Sequence, residues 1–92
     1  MNDSTVWHGL ARRVFDDHVQ WVPQSIITDP EFGYFHYAVH RYAFVPEYCL
    51  VHYINIDDQD DDTEIVLSTH KTLAEAMSIC KVLLANGGVH YV

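Results

Sequence analysis

Residues 57 to 64, DDQDDDTE, hold five aspartates and one glutamate, six of the thirteen acids in a chain of 92 residues. Carboxylates at that density can hold a hard cation, stand in for a phosphate backbone, or keep a turn in water. An EF-hand loop needs oxygen ligands at positions 1, 3, 5 and 12 and a glycine at position 6. Counted from Asp58, Asp60 and Asp62 fall correctly, but Thr63 takes position 6 and Thr69 position 12. Counted from Asp57, position 3 is Gln59. Neither frame makes a calcium loop, and no metal is expected. As a phosphate mimic the run is short: at one duplex charge per ~1.7 Å, six carboxylates match about 10 Å. That length could plug a local basic pocket. A solvated hairpin tip that discourages edge pairing is the other reading, and both stay open.

Seven histidines raise the question of zinc. His36 and His40 share a face of a strand-like run but lie about 13 Å apart at ~3.3 Å per residue. One ion with bonds of about 2 Å does not reach both. There is no Cys-x-x-Cys, and no His-x-x-x-His on a helix. The imidazoles instead make surface charge sensitive to mild acid. Cys49 and Cys80 are the only cysteines, and both read as reduced and structural. Nothing sets either thiol against a histidine, and there is no Gly-rich phosphate loop or Gly-x-Ser-x-Gly. No cofactor is expected, and the chain does not read as an enzyme.

The elements that must position these residues are legible in part. Residues 3–22, DSTVWHGLARRVFDDHVQWV, show Val6, Leu10, Val14 and His18 four apart, which predicts an amphipathic helix closed by Pro23. Residues 31–44, 49–56 and 63–69 read as strands, the last two as a hairpin around the acidic run. Residues 72–88, TLAEAMSICKVLLANGG, predict a helix. Its start is a Thr72/Glu75 capping box, its apolar stripe runs Leu73, Ala76, Met77, Cys80, Leu83 and Leu84, and Asn86, Gly87 and Gly88 stop it. VHYV at 89–92 adds a short last strand. The expected fold is α+β in one domain, residues 1–92. Its small antiparallel sheet has three to four strands with two helices on one face, in the order α-β-β-β-α(-β).

That order resembles the double-stranded-RNA-binding domain, and residues 70–87, HKTLAEAMSICKVLLANG, are similar to that family's last helix. The family's lysine-rich helix start is represented only by Lys71, with Glu75 beside it. The resemblance implies an architecture and no RNA-binding residues.

Strand side chains alternate faces, so Tyr34, His36, Ala38, His40, Tyr42 and Phe44 should point one way. Two helices on one side leave the second face of the sheet uncovered. A surface of tyrosine, histidine and small apolar groups suits contact with a protein. A crossing N-terminal helix, or a second copy of the chain, would satisfy the same surface. The formal charge is −8, and outside residues 57–64 seven acids meet five bases, leaving −2. No basic footprint for a nucleic-acid backbone exists, so electrostatically steered partners should be positive proteins.

No apolar run approaches a membrane span, and MNDSTVWHGLARR lacks the order of a secretory signal. The expectation is a soluble, cytoplasmic protein. In size, charge and lack of motifs the chain resembles the small phage-encoded inhibitors of bacterial defence, the anti-CRISPR proteins. What that resemblance implies is occlusion of a basic surface on a CRISPR-type nuclease complex in the host cytoplasm. Asp57, Asp58, Asp60, Asp61, Asp62 and Glu64 would face its Lys and Arg, while Tyr34, His36, His40 and Tyr42 supply the desolvated contact. The alternative is a homodimeric structural or small-ligand-binding domain whose acidic hairpin only confers solubility.

Overall fold

The computed structural model describes residues 9–24, 33–54 and 63–91, with Tyr34, Thr63, His90 and Tyr91 placed by their backbone. Strands β1 (Leu10–Val14), β2 (His18–Pro23), β4 (Tyr37–Tyr42), β5 (Tyr48–Ile54) and β6 (Thr63–His70) form one sheet in the order β1-β2-β4-β5-β6. Every neighbouring pair is antiparallel. Strand β3 (Gly33–Phe35) pairs separately with β7 (Val89–Tyr91). Among the described residues one α-helix, α1 (Leu73–Leu83), follows β6 and precedes β7.

The expected α-β-β-β-α order with two helices is therefore wrong. Residues 10–14 and 18–23 are strands, and the hairpin they form replaces the N-terminal helix. The four-residue spacing of Leu10, Val14 and His18 fits a helix, but Leu10 and Val14 also share one face of a strand, and His18, across the turn on β2, faces the other way. Three β-branched valines, Val14, Val19 and Val22, favour the strand. Asp16 and Asp17 form the turn: Val14 is paired with Val19, and the Phe15 amide donates to the His18 carbonyl at 2.8 Å. The resemblance to the double-stranded-RNA-binding domain falls with the first helix. Residues 31–44 are likewise not one strand, because the chain bends at His36 and passes from the small sheet to the large one.

The C-terminal helix forms as the sequence dictates. Thr72 caps it, its side chain accepting from the Glu75 amide at 3.2 Å. Gly87 ends the following π-helical turn (Leu84–Gly88) at φ +97, where a side chain would be strained. The helix stripe closes on the sheet through Val39, Leu50, Ala76, Cys80 and Leu84, all buried. Leu10, Trp21, Phe35, Tyr37, Tyr48, Leu73, Met77, Leu83 and Val89 pack around them. The three central strands thus give this face Trp21, Val39 and Leu50, which are consecutive register partners.

The opposite face carries Gln20, Val22, Ala38, His40, Val51 and Tyr53, and it is not open. Val22, Ala38, His40 and Val51 are fully buried. Strand geometry accounts for part of this. Register places Glu64 beside Tyr53, and Tyr53 one step beyond the Tyr37–His52 pair. On a flat sheet Tyr42 and Glu64 would be separated by six strand positions, about 20 Å. Their side-chain oxygens are 3.2 Å apart. The sheet therefore coils with this face on the inside, and an irregularity in the β5–β6 register at Leu50/Val51 adds to the bend.

Candidate functional site

Coiling draws polar side chains from all five strands into a single chain of hydrogen bonds. Arg13 Nη2 donates to Gln20 Oε1 at 2.8 Å, and Gln20 Nε2 donates to the Tyr53 hydroxyl at 3.4 Å. The Tyr53 hydroxyl lies 2.6 Å from His40 Nε2, His40 Nδ1 lies 3.1 Å from the Tyr42 hydroxyl, and Tyr42 donates to Glu64 Oε1 at 3.2 Å.

The two ends, with a neutral buried imidazole between them, fix the direction of every proton. A guanidinium only donates and a carboxylate only accepts. Gln20 must therefore offer its oxygen to Arg13 and its amide to Tyr53. Tyr42 spends its proton on Glu64 and accepts from His40 Nδ1–H. His40 Nε2 is then the acceptor for Tyr53 O–H. This assigns a neutral imidazole protonated at Nδ1, and burial agrees, holding the His40 pKa below its ordinary value of 6.5. Glu64 opposes that shift; His18 and Arg13 reinforce it. Burial first, then the Glu64 charge and hydrogen bond, push the Tyr42 phenol up to about 12. The Gln20 amide also comes within 3.3 Å of His40 Nε2, sharing that acceptor.

Rings cover the chain at one end. His18 stacks on His40 at 5.3 Å and Phe15 stacks on His18 at 4.7 Å. Asp17 holds His18 Nδ1 at 2.7 Å, and that hydrogen bond lowers the Asp17 pKa. The Arg13 guanidinium sits 5.7 Å from the Phe15 ring, and its Nε is buried without a hydrogen-bond partner. Beside this cap a shallow depression of about 230 Å³ is lined by Phe15, Asp17, His18, Arg41 and Tyr42 among others.

No family model, curated protein or solved structure matches this chain. The reading of the site therefore rests on its own geometry.

Of the residues singled out in the sequence, His40, Tyr42 and Glu64 come together. His40 is 0% exposed and lies between the Tyr42 and Tyr53 hydroxyls, so its ring is closed to direct contact with a partner, contrary to the expectation from the sequence. His36 sits at the bend between β3 and β4, its ring 6.3 Å from that of His52. Tyr34 lies on β3, in the other sheet, and its side chain is outside the described residues, as are Asp57, Asp58, Asp60, Asp61 and Asp62. Phe44, placed on the same face as Tyr42 by alternation, lies beyond the end of β4 and is 99% exposed.

Arg13, His18, Gln20 and Tyr53 were not apparent as site residues. A helical reading of residues 3–22 keeps Arg13 and Gln20, seven apart, on one face but turns His18 to the opposite side. Strand alternation puts them on one face, and His18-x-Gln20-x-Val22 was the available signal. Cys49, the register partner of His40, is buried, and burial and Glu47 raise its pKa. That is the opposite of an activated nucleophile. Among the described residues no three His, Cys, Asp or Glu side chains converge on a metal position, and no helix is long and apolar enough to cross a membrane.

Proposed function

We propose that this chain is a non-enzymatic, acidic binding protein that occludes a basic, nucleic-acid-handling protein surface in the cytoplasm, in the manner of an anti-CRISPR inhibitor. The observation that carries the reading is the placement of charge. The chain leaves β5 at Ile54 and returns on β6 at its register partner Thr63. The eight residues between those partners include Asp57, Asp58, Asp60, Asp61 and Asp62. Both ends of the acidic segment are thus rooted in one antiparallel strand pair, and Glu64 beyond it is tied to Tyr42. A concentrated charge on a firm base steers a positive partner and fixes its register. The polar chain behind it reads as structural: from Gln20 to Glu64 each side-chain donor finds an acceptor, and only Arg13 Nε at its far end is buried without one, which makes the inner face specific rather than reactive.

The test is inhibition of DNA binding by purified CRISPR-type nuclease complexes, with the wild type and with Asp57, Asp58, Asp60 and Asp61 all changed to lysine. Inhibition that weakens steeply with salt and vanishes in the variant supports the reading. Equal activity of the two proteins, or none of either across effector types, overturns it. The homodimeric alternative draws on a different observation, the exposed apolar edge of β6. It predicts a concentration-dependent dimer in sedimentation, unchanged by the charge reversal.

A further inference from the structure

Strand β6 ends the sheet order, so among the described residues its outer edge pairs with no strand. It is also the longest of the described strands, eight residues. Ile65, Val66 and Leu67 stand on it in sequence, 42, 49 and 47% exposed. Folded proteins guard such an edge with lysine, proline or a very short strand. None of these three is present in TEIVLSTH, whose one irregularity is the extra residue at Leu67. What is present is acid: the chain enters β6 directly from residues 57–62 and carries Glu64 in the strand.

We infer that β6 receives an extended segment of a positively charged partner as a sixth strand of the large sheet. The main-chain groups of its free edge form the ladder, and the chain's formal charge of −8, with Glu64 in the strand itself, selects Lys and Arg on the incoming chain. Strand addition draws its affinity from backbone hydrogen bonds and its selectivity from alternating side chains. Ile65 and Val66 supply apolar contacts on the two sides of that edge, since neighbouring strand residues point to opposite faces. Charge chooses between the occupants an exposed edge could take. A second copy brings another formal charge of −8, whereas a basic strand carries the opposite sign and is drawn to this chain. The inference rests on the proposed function and says how the partner engages.

The experiment uses the full chain and two capped peptides of eight residues, alternating Lys-Val and alternating Lys-Pro. They carry the same charge, but proline cannot donate to a ladder. Binding is followed by backbone amide NMR and hydrogen exchange at about 50 mM and about 500 mM salt. The expected result is that Lys-Val binds at least ~10-fold more tightly than Lys-Pro, with shifts and slowed exchange along residues 63–70. Leu67, which the β5–β6 register skips, provides a variant: Leu67→Pro should abolish the preference for Lys-Val while the sheet amides stay protected. Equal binding of the two peptides overturns strand addition and leaves the acidic-contact reading standing. Failure of both peptides to bind at low salt overturns both. Slowed exchange on β6 that grows with protein concentration alone assigns the edge to a second copy and overturns the inference. The peptide comparison on the unaltered protein decides the matter even where Leu67→Pro does not fold.

Discussion

The Tyr53 hydroxyl lies 2.6 Å from Nε2 of a His40 that solvent does not reach. That contact and the Tyr42 hydroxyl on Nδ1 give the buried imidazole one donor and one acceptor, the full requirement of its neutral form. The two tyrosines are not equivalent, because Gln20 Nε2 stands 3.3 Å from the nitrogen that Tyr53 serves. In Tyr53→Phe the glutamine amide takes over, and the cost should be about 1 kcal/mol. Tyr42→Phe leaves Nδ1–H facing a phenyl edge and releases Glu64, with an expected cost of about 2–3 kcal/mol. Urea denaturation at neutral pH checks the order of the two variants.

Acid should weaken the fold through His40. Its pKa in the folded chain lies below 6.5, so as pH falls through that value the unfolded chain takes up a proton that the folded chain refuses. Stability present above pH 6.5 is then lost progressively down to the folded pKa, by at most about 1.4 kcal/mol per pH unit for one proton. His40→Gln, less stable at neutral pH, should show a visibly flatter fall between pH 7 and pH 5. An identical slope in both proteins would assign the effect to other groups.

Tyr42 reports the opposite end of the chain. Burial is the larger cause of its raised pKa, with the Glu64 charge and hydrogen bond behind it. Glu64→Gln should therefore lower the phenol from about 12 part of the way towards 10 without reaching it. The ring carbon shift of Tyr42 during an alkaline NMR titration measures this directly.

Gly88 packs where no other residue fits. A Cβ there would stand 2.7 Å from the Leu83 carbonyl and 2.7 Å from Tyr37 Cδ2. The Gly88 carbonyl also accepts from the His36 amide at 2.7 Å, so the backbone cannot back away freely. Gly88→Ala should cost about 1–3 kcal/mol by overpacking. At Gly87 the space is open and only the positive φ objects, so Gly87→Ala should cost about 1 kcal/mol. Thermal melts of the two variants, compared at one pH, test the ranking.

Both thiols should resist modification in the folded protein. Cys80 is fully buried and its pKa is pushed up to about 12, while Cys49 is buried and raised by the same desolvation with Glu47 adding to it. A disulfide-exchange reagent at pH 8 should label neither until denaturant is added, and then both at once. Fast labelling of Cys49 alone would show that the concave face opens locally.

Residues 72–88 were fully legible because every signal there is local. The Thr72 cap, the apolar stripe and the Gly87 stop act within a few residues and need no other element. Residues 10–23 were not. Leu10, Val14 and His18 satisfy a helical period, while Leu10, Arg12 and Val14 satisfy a strand period equally well. The choice fell to pairing partners that only the folded chain supplies. β2 is paired on one side by β1 and on the other by β4, and ladders on both edges outweigh the helix preference of an isolated segment.

Chain order alone determined the charge: six acids between residues 57 and 64, and a chain nearly balanced elsewhere. It also determined which side chains alternate along β4 and β5, since a strand has a period of two whatever surrounds it. Tertiary structure decided which of those faces is closed. Tyr42 and Glu64 stand 22 positions apart in the chain and six strand positions apart by register, and only the coil of the sheet brings them within hydrogen-bond distance. That coil sums small right-handed twists over five strands. No short stretch of sequence records such a sum, so the buried histidine and its directed chain of protons emerge only when all five strands are in place.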